Sequence, residues 1–484
     1  MSRARIQHLM LLLTWLATVL RFSRLGLQSL WFDEAFSWLC ATAPLPQALQ
    51  FALTNLVHPP LYYLLLRPMM WLGDGEFQLR LLAAWVGVVS VPLLYALGHH
   101  VADRSTGLLA ATLLALNPFH VWFSQEARMY TLLFVLALGM GYFFGRVVTV
   151  GKRRNWVGLG IVSGIAYVTH YFSLLLPLAQ FAFLVLHFRS YYRLLRRWMM
   201  VQVLAALPLG VWVYCLYRLP EQSMGIGWIP RPVIWDPLIT LWNFSLGFPD
   251  RFTLAVVLGL LPFAVALIQA TRSGQRWGWW WVWLAWPPLF VLLLSWGTGR
   301  YFYVDRFFII CLPAYLLLVS WGAARLSHLW LRRGVVAALL MASLVGLVRL
   351  YLDPALAKED WRGALTFVGQ FARPGDRLVV DRQEWTLLAR YYGCSLPVTS
   401  LASVSLQQVW ESRKQEERIW LLYRHPGESA HLTARPWPFE IFTEADPSTA
   451  RWLQMHRDDV TEHLRLAGID VLLIEAQSNA GGRP

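Results

Sequence analysis

The sequence predicts a polytopic α-helical membrane protein of about 11 transmembrane helices, with a small C-terminal α/β domain on the outer side. Three observations predict it: a low charge content, a split in net charge along the chain, and apolar stretches of spanning length that recur until residue 352. Of the 484 residues 57% are hydrophobic and only 14% charged, with a mean hydropathy of +0.45. Soluble domains carry about 25% charged residues, so most of this surface never meets water. Residues 1–352 hold 27 Lys and Arg against 10 Asp and Glu, whereas residues 353–484 hold 15 against 18. The pI near 9.9 is therefore no nucleic-acid footprint, and no nucleic-acid partner is expected. The excess positive charge belongs to the apolar part, where it reports membrane topology. Cys40, Cys215, Cys311 and Cys394 lie far apart with no Cys-x-x-Cys, which excludes a disulfide scaffold and a zinc ribbon.

A span needs about 20 mostly apolar residues. Stretches that come close lie near 6–22, 78–98, 105–122, 129–149, 155–171, 172–188, 198–217, 252–271, 278–296, 304–324 and 334–352. The first has no small-residue cleavage site after it and reads as a retained anchor rather than a signal peptide. Basic clusters at Arg3 and Arg5, Lys152 to Arg154, Arg189 to Arg197, Arg272 and Arg276, and Arg325 to Arg333 all fall on one side if the spans alternate. Cytoplasmic loops retain Lys and Arg, so the N-terminus is expected inside, and residues 23–77 and everything after 352 outside, a plasma (cell inner) membrane.

The chain divides on this reading into a transmembrane part, 1–352, with a first outer loop over 23–77, and a soluble outer domain, 353–484. In the latter, 377–381, 418–423 and 470–475 read as short buried strands and 360–372, 384–393 and 403–416 have helical periodicity. Alternation of this kind suggests a parallel sheet, in a structural or acceptor-docking role.

The ten carboxylates before residue 353 are Asp33, Glu34, Asp74, Glu76, Asp103, Glu126, Glu221, Asp236, Asp250 and Asp305. None falls at the middle of a span, and alternation leaves only Asp103 facing the cytoplasm. A proton-coupled transporter more often buries an acid near the bilayer centre. Asp33 and Glu34 sit among Trp31, Phe32, Phe36 and Trp38, a setting dry enough to raise the basicity of a carboxylate. Capping an amphipathic helix that lies on the bilayer is the equal alternative. His58, pinned by Pro59 and Pro60, suits either a phosphate contact or a solvated loop.

The Asp33-Glu34 pair after the first span, His58-Pro59-Pro60-Leu61-Tyr62 before the second, and Asn117-Pro-Phe-His-Val-Trp-Phe-Ser-Gln-Glu-Ala-Arg-Met-Tyr130 between the third and fourth together resemble the polyprenyl-phosphate-sugar-dependent glycosyltransferases of family 39. That family includes the protein O-mannosyltransferases and the lipid A aminoarabinose transferase. The resemblance runs over the apolar part of the chain and implies the GT-C membrane fold. It also implies transfer of one sugar, with inversion at the anomeric carbon, from a polyprenyl-phosphate carrier to an acceptor on the outer face, with no nucleotide cofactor. Asp33 is then the expected base, with Glu34 sharing its work or coordinating a divalent ion. A departing polyprenyl phosphate gains negative charge and needs cations: Arg128, Arg300 and Arg306 are candidates beside His58, with Glu126 and Tyr130 orienting Arg128. Anchoring to lipid phosphates is the other reading of these arginines. His170, at an outer turn, is a candidate metal ligand together with Asp33 or Glu34, or a hydrogen-bonding partner within the bundle. The chain departs from aminoarabinose transferases, which carry an acid and a lysine where His58 stands, and lacks the added lumenal domain of eukaryotic protein mannosyltransferases. Lysine is scarce, limited to Lys152, Lys358 and Lys414, as in GC-rich bacterial genes. Rival readings are a lipid-linked sugar flippase and an envelope glycan polymerase or ligase; the acceptor itself leaves no local motif.

Overall fold

A computed structural model of the chain describes residues 2–55, 58–218, 229–248, 253–272, 278–414, 416–424 and 447–476. Glu221, Asp250 and Arg276 lie outside the described residues. The helices are α1 (Arg3–Phe22), α2 (Phe32–Thr42), α3 (Leu45–Asn55), α4 (Leu61–Leu66), α5 (Glu76–Val101), α6 (Arg104–Leu116), α7 (Pro118–Ser124), α8 (Tyr130–Thr149), α9 (Arg153–Tyr167), α10 (Leu175–Leu186), α11 (Phe188–Tyr217), α12 (Asp236–Leu246), α13 (Leu254–Thr271), α14 (Gly278–Thr298), α15 (Leu312–Ala324) and α16 (Leu329–Leu352). After them come α17 (Trp361–Phe371), α18 (Thr386–Tyr391), α19 (Leu406–Glu411) and α20 (Pro447–Met455), with strands β1 (Arg377–Val380), β2 (Val398–Ser400), β3 (Ile419–Arg424), β4 (Val460–Leu466) and β5 (Ile469–Ile474). Two compact units result, Met1–Leu25 with Leu39–Leu352 and Gly26–Trp38 with Asp353–Pro484. The Asp33-Glu34 segment, expected with the transmembrane part, is thus a piece of the second unit.

In the first unit every one of the eleven apolar stretches is helical. Seven helices among the described residues are long and apolar enough to cross a membrane, or eight if α6 and α7, bent by 58°, form one span. The remaining stretches correspond to α1, α9 and the run Tyr171–Leu186, which are shorter or less apolar. α15 is apolar on all sides and buried along nearly its whole length, so it is the central helix. The outer helices turn apolar side chains outward: Leu11 and Trp15 of α1 are each 69% exposed, and Val211, Leu254 and Leu293 are exposed likewise. Only lipid makes that surface favourable. Close crossings use glycine, because a Cβ at Gly322 would run into the Ala266 carbonyl and one at Gly346 into the Leu246 carbonyl. At one end of the bundle Asp103 pairs with Arg325 at 2.7 Å and Arg146 meets His100 at 3.3 Å.

The break between α6 and α7 is built by sequence. Pro118 has no N–H to continue α6 and suits the first turn of a new helix. Asn117 caps that turn, its Oδ1 accepting from His120 N at 2.8 Å while its Nδ2 donates to Phe244 O at 2.7 Å. The carbonyls freed at the end of α6 are met by Arg21 of α1, fully buried, which donates to Leu114 O at 3.0 Å and Ala115 O at 3.3 Å and faces His120 Nδ1 at 3.0 Å. Gln125 then ties the end of α7 to α1, donating to Leu20 O at 3.0 Å and Ser23 O at 2.8 Å.

The second unit is built on a five-stranded sheet of order β2-β1-β3-β5-β4. β1 is parallel to β2 and β3, but β5 is antiparallel to both β3 and β4. The expected parallel sheet is therefore mixed. Ala467 and Gly468, the latter at φ +67°, turn β4 tightly into β5, and a turn that short joins only antiparallel strands. β4 escaped the sequence reading because, as an edge strand, it leaves Thr461, Glu462, His463 and Arg465 exposed and shows no apolar run. Val379, Ile419, Leu421, Leu472 and Ile474 pack with Leu406, Val409 and Trp452 as the core. Beneath the sheet Arg418 holds Asp376 through two hydrogen bonds of 3.0 and 2.7 Å and Glu475 at 3.0 Å, and Trp420 Nε1 donates to the same Asp376 at 2.9 Å.

Replacing Arg21 with Met strands the Ala115 carbonyl in an apolar bundle and leaves the Leu114 carbonyl to Asn117 N alone. The expected loss is about 2–5 kcal/mol, read as a lower melting temperature and faster hydrogen exchange over 117–129. Arg21→Lys recovers only part of it, because a point charge cannot span these acceptors. In the second unit Arg418→Met leaves Asp376 buried without its counter-charge and should cost about 3–5 kcal/mol, seen as lost protection in β1 and β3. Burial pushes the Asp376 carboxyl up, yet the hydrogen bonds from Arg418, Arg373 N and Trp420 outweigh it and hold the group below its ordinary value. Its contribution is present above the ordinary carboxylate pKa and is lost as pH falls through the lowered one, so the second unit should loosen on acidification.

Candidate functional site

Buried cations and imidazoles collect in the first unit where α8 begins. Leu61 N donates to Val168 O at 3.2 Å, which lays the His58-Pro59-Pro60 segment against the turn after α9. His58 and His170 meet there with ring centroids 4.5 Å apart. Both are buried, as are Arg128 and Arg306. Arg128 comes from the turn between α7 and α8, fixed by Gln125 on one side and by its own N–H to Glu126 O at 2.7 Å. Its guanidinium lies over the Tyr63 ring at 6.0 Å, with Nη1 donating to Tyr63 Oη at 3.3 Å. Arg306 comes from the 3-10 helix Asp305–Cys311, whose start is pinned because Asp305 accepts from Thr240 Oγ1 at 2.5 Å and Asn243 Nδ2 at 3.0 Å, both on α12. Its guanidinium is 6.0 Å from the Tyr130 ring and 5.5 Å from the Phe307 ring. Phe307 in turn stands 6.0 Å from His58 and 4.8 Å from His170. The cluster is a cationic pocket wall built on aromatic rings.

Protonation follows from this geometry. His170 Nδ1 accepts from Phe172 N at 3.0 Å, so that nitrogen carries no proton. The neutral ring then presents an N–H at Nε2, which has no hydrogen-bond partner among the described residues. Burial first, then the neighbouring His170, Arg128 and Arg306, hold the His58 pKa well below its ordinary value. Its Nδ1 also lacks a partner. Two neutral imidazoles beside two guanidiniums give a net positive, hydrogen-bond-donating surface with little water, which suits a phosphate oxygen.

Of the other expected residues, Tyr130 is in this cluster as a ring facing Arg306. Glu126, expected to orient Arg128, accepts from Trp122 Nε1 at 2.7 Å. Arg300 is exposed and stands apart from the buried groups. The cluster also holds Tyr63 and Phe307, which sequence reasoning passed over because an aromatic ring in a membrane chain carries no signal of its own.

Asp33 and Glu34 open α2 and are described within the second unit. They are not equivalent. Glu34 is fully buried and receives Lys358 Nζ at 3.1 Å, the lysine itself only 7% exposed at its side chain. Asp33 is half-buried and reaches the surface. Lys358 was missed too, although as one of three lysines in an arginine-rich chain it was open to notice. Among the described residues no group of three or more His, Cys, Asp and Glu could hold a metal ion, and the Glu34 carboxylate already has a cation.

Residues 57–214 match the family described as dolichyl-phosphate-mannose-protein mannosyltransferase. No curated protein matches the sequence. Among solved structures, ArnT from Cupriavidus metallidurans bound to undecaprenyl phosphate is similar at 14% identity and a TM-score of 0.62, over 96% of this chain and 98% of that one. The oligosaccharyltransferase of Archaeoglobus fulgidus in its apo form is similar at 12% identity and a TM-score of 0.54, over 90% and 71%. The chain is a multi-pass membrane protein of the GT-C glycosyltransferase fold, similar over 57–214 to the dolichyl-phosphate-mannose-protein mannosyltransferases.

Proposed function

We propose that this protein transfers a single sugar from a polyprenyl-phosphate-linked donor to an acceptor hydroxyl at the outer face of a bacterial plasma membrane. The observation that carries the reading is the buried set His58, His170, Arg128 and Arg306, the first three within the matched segment 57–214, in a fold shared with a glycosyltransferase bound to undecaprenyl phosphate. A sugar-phosphate diester bears one negative charge and its leaving monoester two. The two guanidiniums meet the added charge, and the imidazole N–H groups orient the oxygens without needing a proton of their own. The acceptor hydroxyl is a poor nucleophile until a base takes its proton. Asp33 fills that role, because Glu34 is held by Lys358 and Asp33 is the accessible member of the pair. One displacement by the hydroxyl inverts the anomeric carbon. The N-terminus lies in the cytoplasm and the second unit outside, in keeping with the basic clusters on one side of the alternating spans.

Asp33→Asn should lower kcat by at least about a hundredfold while binding of undecaprenyl phosphate stays unchanged; transfer retained at the wild-type rate removes Asp33 as the base. Arg128→Gln and Arg306→Gln should each weaken undecaprenyl phosphate binding about 10- to 100-fold, measured by calorimetry in detergent. A chelator should leave transfer unaffected. A reporter fused after Gly151 should read as cytoplasmic and one fused after Ala476 as external. Movement of a lipid-linked sugar across vesicles with no product attached to an acceptor would replace this reading with a flippase.

A further inference from the structure

The second unit has the strand order at which open α/β sheets bind ligands. β1 connects to β2 on one side and pairs with β3 on the other, so the carboxyl ends of β1 and β3 flank a topological switch point, where such folds bind small molecules. Here the residues of that rim grip the chain's own Gly26–Trp38 segment. Trp385, in the turn after β1, packs edge-on against Phe32 with centroids 6.3 Å apart, and Trp361 lies 5.1 Å from Trp385. Tyr392 Oη, just past α18, accepts from Leu30 N at 2.7 Å. Arg362 donates to Gly26 O at 3.1 Å.

Two of three consecutive residues, Lys358 and Asp360, hold the segment directly, and Glu359 between them ties the run to β3. Asp360 caps α17, accepting from Gly363 N at 2.9 Å, and accepts from Ser29 Oγ at 3.1 Å. Glu359 pairs with Arg424 at the end of β3 and accepts from Trp361 Nε1 at 2.7 Å. Lys358 reaches Glu34 in the first turn of α2. Glu34 N and Ala35 N both donate to Trp31 O at 3.0 Å, so the carboxylate that Lys358 holds belongs to the same turn that carries Asp33. An ion pair this buried is poor evidence for stability but good evidence for a fixed geometry.

We infer that Lys358 is a positioning residue for the reaction: by holding Glu34 it fixes the turn that presents Asp33. The inference rests on the proposed function for its kinetic consequence and on geometry alone for its structural one. A misplacement of about 1 Å of a reacting group costs about a hundredfold in rate.

The test uses the full chain in nanodiscs and four proteins: wild type, Lys358→Arg, Lys358→Met, and the double variant Glu34→Gln with Lys358→Met. The double variant leaves no unpaired buried charge and serves if the single one fails to fold. Hydrogen exchange is read over 31–38 and over α17, and kcat and KM are read with undecaprenyl-phosphate-linked mannose, glucose, galactose and arabinose as donors. Lys358→Met and the double variant should exchange about tenfold faster over 31–38 with α17 still protected, and kcat should fall about 10- to 100-fold with donor KM within about twofold. Lys358→Arg should stay near wild type in both. A double variant that recovers wild-type kcat and protection would overturn the inference, because the pair would then serve only to neutralise a buried charge. Should exchange behave as expected while the wild type transfers none of the four sugars, the positioning stands and the proposed donor class falls.

Discussion

A guanidinium with no carboxylate beside it, sealed in an apolar bundle, is the constraint on which the first unit is organised. Arg21 is tolerated because its donors point at carbonyls that a broken helix leaves over. The relation is reciprocal. Without the break after α6 Arg21 would lose the Leu114 and Ala115 carbonyls, and without Arg21 the break would expose unpaired backbone to hydrocarbon. The 58° bend in turn sends the chain through Gln125 and Arg128 before α8 begins, and so decides where the first cation of the site emerges.

The site then shows a division of labour by type of charge. Permanent charge comes from Arg128 and Arg306, whose guanidiniums stay protonated in any surroundings and tolerate aromatic neighbours. The adaptable donors are imidazoles kept neutral by burial first and then by the same guanidiniums. In the second unit the buried cation is a lysine, a compact charge with three donors, and Lys358 meets Glu34 there. Each cation thus sits where its solvation chemistry fits.

The helices were legible because spanning length and low charge leave little room for error, and the end-to-end alternation agrees with the Asp103–Arg325 pair. His58, Arg128, His170 and Arg306 were each legible as singular polar residues near span ends, but their convergence was not: the link from Leu61 to Val168 is a backbone contact that no side chain announces. Arg300 and Arg306 looked alike in sequence and differ only because the Asp305 hydrogen bonds turn one of them inward. Pro118 was visible and still read as the interior of a span, since proline kinks some helices and ends others. In the second unit the buried strands were legible and the edge strand β4 was not. The Glu34–Lys358 pair, 324 residues apart, is beyond any local pattern.

Arg21 also sets an order on how the protein is made. α1 leaves the ribosome before α6, and its arginine bonds to carbonyls 94 and 93 residues further along the chain. Until α6 has been synthesised those acceptors do not exist. The side chain must meanwhile reach for water or lipid phosphate at the membrane surface, as its place near the end of α1 permits. α1 therefore takes a provisional position and settles only when α6 arrives, so the two helices integrate cooperatively.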